Sequence, residues 1–317
     1  KKLFEKIFEH ENIILTSRPN AIDKQMADKF GKKIENTGLD YEGIQKYLSQ
    51  YFKNDQEKGE ALKEFLDKNT SIKEICHIPV NIAMMCFIWA EGDSNQALHE
   101  ISNMSDLYKQ VVDHPGFRSF AKSNAQQNQD ELMSKWKGGE IYLDELQVLE
   151  HTAYKGMTGG GLEVPEDKRS ETLILKGMTK KGDKDGISVQ SSINYLRDQL
   201  KKDMPTINKV YKYGLLKPEG VMIDLKKNPK KELSETDLQE QSFSFIHLSF
   251  QEFLTALYLV QYLLKENNKE EQERIANFIA QHRNEPRYLM TLKLMAGILS
   301  AYDDDHKEAE QGIKIFW

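Results

Sequence analysis

Three residues of this sequence stand at element junctions where chemistry could be done. His247 lies in F-S-F-I-H-L-S-F-Q-E-F (Phe243–Phe253), where a strand-like alternation gives way to helical spacing. At such a junction a polar side chain and the free N–H groups of a helix start can meet an anion together. Arg18 follows the compact apolar run Ile13–Thr16, and Pro19 then takes the chain out of regular structure. An arginine at the C-terminal end of a buried parallel strand stands where open α/β sheets bind ligands. Pro79 opens the most apolar stretch, Ile78–Ala90, at the helical position where a missing N–H costs nothing. Taken singly, Arg18 and His247 also have plain structural readings, as a strand-end salt bridge and as a core or cap residue.

Other chemistries lack their residues. No G-x-S-x-G, C-x-x-C or H-E-x-x-H pattern occurs. Lys180–Gly186 is a charged loop, and no G-x-x-x-x-G-K-[ST] phosphate cradle is present. Asp303, Asp304 and Asp305 do not converge, and no EF-hand pattern surrounds them. Cys76 and Cys86 lie in apolar surroundings without ligand spacing, as buried, reduced thiols of a cytosolic protein would.

At 317 residues the chain can bury two or three compact cores. Its 44 basic residues against 50 acidic ones give a net charge of −6, which argues against an extended nucleic-acid surface. Ile78–Ala90 is too short for the roughly 20 apolar residues of a membrane span. Lys1-Lys2 leads into an amphipathic run rather than a signal peptide. The chain lacks an initiator Met and begins as if in mid-domain, so a fragment of a cytoplasmic protein is expected.

The elements that must position the three residues are mostly helical. Asp40 is an N-cap for Ile44, Tyr47, Leu48, Tyr51 and Phe52 at helical spacing. Helices then follow on Leu62, Phe65 and Leu66, on Ile72, Ile75 and Cys76 after a Ser71 cap, and on Val80–Ala90. Another begins at Ser105 with Tyr108, Val111 and Val112 inward. His114–Lys137 is a polar excursion, and Ile141–Met157 regains helical period through Leu146, Leu149 and Ala153. Ile193, Leu196 and Leu200 mark a further helix, and Val210–Leu216 a helix with a glycine C-cap. A strand at Val221–Leu225, a polar loop over Lys226–Gln241 and a strand at Phe243–Ile246 follow. Phe250, Phe253, Leu254, Leu257, Gln261 and Leu264 form the next helix's inner stripe. Glu266–Glu273 is a charged linker, and Pro286 starts a helix with Leu289, Leu292, Ala296 and Leu299 on one side.

These motifs resemble NACHT-type STAND P-loop NTPases, which include the animal NOD-like receptors. I-I-L-T-S-R-P (Ile13–Pro19) is similar to the strand after Walker B that ends in the sensor-1 arginine. I-P-V-N-I-A-M-M-C-F-I-W (Ile78–Trp89) looks like the helical-domain helix whose proline packs on adenine. F-S-F-I-H-L-S-F-Q-E-F resembles the winged-helix segment whose histidine touches the β-phosphate of ADP. L-Y-K-Q-V-V (Leu107–Val112) and Y-G-L-L-K (Tyr213–Lys217) also fit.

The resemblance spans most of Lys1–Leu264. It implies a mainly α chain: the edge of an α/β P-loop NTPase domain over residues 1–22 and a first helical domain over 23–113. A winged-helix domain over 114–265, with a polar insertion near 114–137, and the start of a second helical domain over 266–317 complete it. Arg18, Pro79 and His247 would bind ATP or ADP, with Mg²⁺ held only by P-loop and Walker-B residues that this sequence lacks. The segment Lys137–Gly186 departs from the family pattern. The resemblance further implies an oligomerising switch in innate-immune or defence signalling, with an unspecified trigger and effector and no membrane. The parent would be a slow ATPase, and this chain inactive alone. Two other readings stay open: a winged-helix nucleic-acid-binding module, with Lys209 and Lys212 near the recognition helix, and a helical adaptor without nucleotide chemistry.

Overall fold

The computed structural model describes residues 12–16, 24–91, 101–113, 143–158, 197, 210, 214–219, 242–264 and 269–301. The chain divides into two compact units, Lys1–Thr37 and Gly38–Trp317. Mainly helical structure was expected, and the described residues are mainly helical.

In the first unit the buried strand expected at Ile13–Thr16 is not formed, and Ile14 is 94% exposed. A parallel strand needs a paired neighbour, and this unit has no strand among its described residues. One helical turn, α1 (Lys24–Ala27), follows.

The second unit opens on a tight approach. Gly38 has φ +88°, and a Cβ there would collide with the His77 carbonyl, which accepts the Leu39 N–H at 2.7 Å. Only glycine fits both demands. Asp40 then caps α2 (Tyr41–Tyr51), its Oδ1 accepting the Gly43 N–H at 2.8 Å. Ile44, Leu48 and Phe52 go inward, while Tyr51 stays exposed. Asp55 caps α3 (Gln56–Lys68) in the same way, through the Lys58 N–H.

Ser71 does not cap the next helix, which begins one residue earlier. Asn69 precedes α4 (Thr70–Ile75) without a side-chain cap bond, because its amide donates back to the Phe65 carbonyl at 2.8 Å. In α5 (Pro79–Glu91) apolar residues face all ways, and Ile82 to Trp89 are buried except Ala83. The Trp89 indole N–H donates to the Lys58 carbonyl at 2.9 Å, fixing α5 on α3.

The start of α6 (Met104–Asp113) also differs from expectation. Asn103 is the cap, its Oδ1 accepting the N–H groups of Ser105 and Asp106. Asp106 reaches back to the N–H groups of Ser102 and Asn103. The hydroxyl of Ser105 instead crosses to the Leu294 carbonyl at 2.9 Å.

Gly214 has φ +88°, the conformation of a glycine that ends a helix. Strands β1 (Leu216–Glu219) and β2 (Ser242–Phe245) then pair antiparallel, Leu216 opposite Phe245. The strand expected at Val221–Leu225 lies outside the described residues. Within them, the partner of β2 is Leu216–Glu219. The loops at 114–137, 180–186 and 226–241, Lys209, Lys212 and Asp303–Asp305 also lie outside the described residues, and of the helix expected at 193–200 only Arg197 is described.

Helix α8 (Leu248–Leu264) is the centre of this unit. It packs against α7 (Leu143–Thr158), α9 (Lys269–His282), α10 (Leu289–Leu299), α6 and strand β2. Burial therefore runs round most of its circumference: Ala256, Tyr258, Leu259 and Val260 are buried beside Phe250, Phe253 and Leu254. The single stripe expected through Leu257, Gln261 and Leu264 is incomplete, and Gln261 is exposed. Residues 269–273, expected as linker, are the first turns of α9. In α10 the inner side is Thr291, Leu294, Met295 and Leu299, and Leu289 is 50% exposed.

Candidate functional site: two helix starts joined at one phenol

His247 immediately precedes α8 and is exposed. Its carbonyl accepts the Phe250 N–H at 3.2 Å, which makes it the residue that enters the helix. Its ring turns back on that first turn. Nδ1 accepts the Ser249 N–H at 3.2 Å and lies 2.6 Å from the Ser249 hydroxyl. The ring thus stands in for a capping side chain and is held at the positive end of α8.

Pro79 is the first residue of α5, and its ring is exposed. Two residues on, Asn81 is fully buried, and both ends of its amide have partners. Its Nδ2 donates to the Ile75 carbonyl at 2.9 Å and approaches the Met104 sulfur at 3.7 Å. Its Oδ1 accepts the Tyr108 hydroxyl at 3.0 Å.

Tyr108, in the middle of α6, is where the two junctions meet. Its ring sits edge-on to Phe250 at 5.4 Å between centroids, and 5.5 Å from Phe253. Its hydroxyl donates to Asn81 Oδ1. Burial raises this phenol above its ordinary 10.0, the nearby Ser249 hydroxyl works against that rise, and the Glu252 carboxylate adds to it. Asn81 and Tyr108 thus form one polar contact in an otherwise apolar interface, and Ser249 and His247 a second at the start of α8.

Arg18 lies outside the described residues, so of the three expected site residues Pro79 and His247 can be located. Each is at the start of a helix, and the first turns of those helices share Tyr108. The sequence reading missed Asn81, Tyr108 and Ser249 as a group. One signal was available: Asn81 is a lone amide in an apolar run, and a buried amide demands partners.

A second polar group was not anticipated. Glu150, His151 and Lys155 of α7 are all buried, His151 beside the ring of Tyr258 at 5.9 Å. Burial pushes Glu150 up to about 8, opposed by the Gln261 amide that donates to it at 3.2 Å. Burial pushes His151 down to about 3, helped by the charges of Lys155 and Arg274.

Among the described residues no three His, Cys, Asp or Glu side chains converge as metal ligands. Cys76 and Cys86 are buried free thiols, as expected, and burial pushes Cys76 up to about 12. No described helix is long and apolar enough to cross a membrane. Comparison with protein-family models, curated proteins and solved structures gives no match.

Proposed function

We propose that this chain is the helical and winged-helix arm of a NACHT-type, nucleotide-regulated signalling switch. In this proposal the arm closes over ADP whose phosphates are held by a P-loop outside the sequence. Arg18 senses the terminal phosphate through a fixed guanidinium. Pro79 offers the base a flat surface without a donor. His247 latches the arm by a charge-assisted hydrogen bond to the diphosphate.

The observation that carries the reading is the place of His247. It is exposed at the N-terminal end of a buried 17-residue helix, with its ring held by the first turn. Such a placement puts an imidazole at the positive end of a helix, where an anion is favoured. The exposed Pro79 ring supports it, at a helix start whose Asn81 accepts from the phenol that packs on Phe250.

A hydrogen bond to a charged group contributes about 1.5–3 kcal/mol, which biases a closed-to-open equilibrium roughly tenfold to a hundredfold. His247→Leu in the intact protein should therefore raise basal self-association by about that factor. Sedimentation or light scattering without the trigger reads this. Unchanged basal association would overturn the latch and favour a helical adaptor. Calorimetry of the 317-residue chain should find little or no ADP binding, and micromolar affinity would contradict the division of the site between P-loop and arm.

A further inference from the structure

We propose that Met104 is a redox modification site, at which a peroxide converts the thioether to the sulfoxide and the buried Asn81 amide holds the new oxygen. The site is independent of the nucleotide-switch reading.

Asn81 is fully buried, and its Nδ2 has two protons to place. One goes to the Ile75 carbonyl at 2.9 Å. Among the described residues the other meets the Met104 sulfur alone, at 3.7 Å. A thioether sulfur is a weak acceptor. A buried donor is thus held short of a full bond, a state that costs free energy.

Oxidation supplies the missing acceptor. The sulfur attacks one peroxide oxygen with an electron pair, an S–O bond forms and the O–O bond breaks. The sulfur loses two electrons and the peroxide gains them. The second peroxide oxygen leaves as water, carrying both peroxide protons. The sulfoxide is polar where the thioether was apolar, and its oxygen accepts from an N–H. Room for it exists, because an N–H···O bond needs about 2.9 Å and a bent contact spans the rest of the 3.7 Å between nitrogen and sulfur. Methionine is unbranched and flexible, so a turn about Cγ–Sδ brings the oxygen round to the amide.

Access separates this sulfur from others in the same core. Met84, Met85, Met157 and Met295 are buried, whereas Met104 is partly exposed. It is the first residue of α6, directly after the Ser102–Asn103 turn that caps the helix. Met290 is partly exposed as well, without such an amide among the described residues. A sulfoxide in an apolar setting ordinarily disrupts packing. At Met104 it should instead fasten the start of α6 to the first turn of α5.

The test treats the folded 317-residue chain with hydrogen peroxide and locates sulfoxides by peptide mass spectrometry. Met104 should be oxidised along with Met290, while Met84 and Met85 stay reduced. In NMR of the labelled chain, the Asn81 side-chain amide protons, assigned from the backbone, should move downfield on oxidation, and should not move in Met104→Leu given the same peroxide. Urea unfolding adds an energetic readout. The change in folded-to-unfolded ratio on oxidation should be more favourable in the native chain than in Asn81→Leu by roughly two- to tenfold, the worth of one neutral hydrogen bond.

A Met104 that stays reduced while Met290 is oxidised overturns the proposal. So does a sulfoxide at Met104 that leaves the Asn81 amide protons in place, or an oxidation effect on unfolding that is the same with and without the Asn81 amide. Should Asn81→Leu not fold, the amide resonances decide alone.

Discussion

The Tyr108 junction and the interior of α7 bury polar groups in opposite ways. At the junction the groups are neutral, sit at or beside a helix start and have neutral partners: the Tyr108 hydroxyl donates to Asn81 Oδ1 across α6 and α5, and the Asn81 amide donates to the Ile75 carbonyl. In α7 the buried groups are titratable and sit in mid-helix, where the backbone offers no spare donors. There burial is relieved by proton uptake at Glu150 and proton loss at His151. The first solution yields a fixed geometry over a wide pH range. The second makes stability depend on pH.

The largest effect that tests this contrast comes from removing the phenol ring altogether. Tyr108→Ala strips packing from Phe250 and Phe253 and leaves Asn81 Oδ1 without its donor. The cost should be about 3–5 kcal/mol in urea unfolding, nearly equal at pH 5 and pH 8. A cost that changes strongly with pH would break the comparison.

Next come the two limbs of the pH profile. His151 is depressed from 6.5 to about 3, so the unfolded chain binds its proton first and stability is lost as pH falls through that window. Glu150 is raised from 4.5 to about 8, so stability is lost as pH rises through that window. Between pH 4.5 and 6.5 the two slopes cancel. Their joint contribution should be flat there and fall by about 2 kcal/mol toward pH 8 and again toward pH 3. Glu150→Gln should remove the alkaline limb while keeping a partner for Gln261, and His151→Leu the acidic one. Denaturant titrations across pH check both, and a Glu150→Gln profile that still falls above pH 6.5 contradicts the assignment.

The smallest effect concerns the support under the junction. Asn103→Ala removes the cap of α6, whose side chain accepts two N–H groups. It should cost about 1 kcal/mol and leave the pH limbs of α7 untouched. A change in those limbs would show that the two regions are not energetically separate.

What the sequence disclosed was local. Asp40 as a cap, Pro79 at a helix start, Gly214 at a positive φ and two buried thiols each depend on neighbours within a few positions. What it hid was tertiary. Ser105 carries cap chemistry, but its hydroxyl is taken by a carbonyl 189 residues away, and Asn103 caps instead. The period of α8 marks one stripe, whereas neighbours on several sides bury most of its turns. Of the site, the histidine and proline were legible as junction residues. The phenol that joins them was legible only as one more inward-facing side chain of α6.

In the proposed switch, His247 meets the phosphates of a bound nucleotide. The most direct measurement is the ring nitrogen spectrum of His247 in the intact protein, with and without ADP. The claim predicts that ADP moves the Nε2 resonance and raises the titration midpoint of the ring, while adenosine, which lacks phosphates, does neither. An Nε2 resonance and a midpoint that are the same with saturating ADP as without it would contradict it.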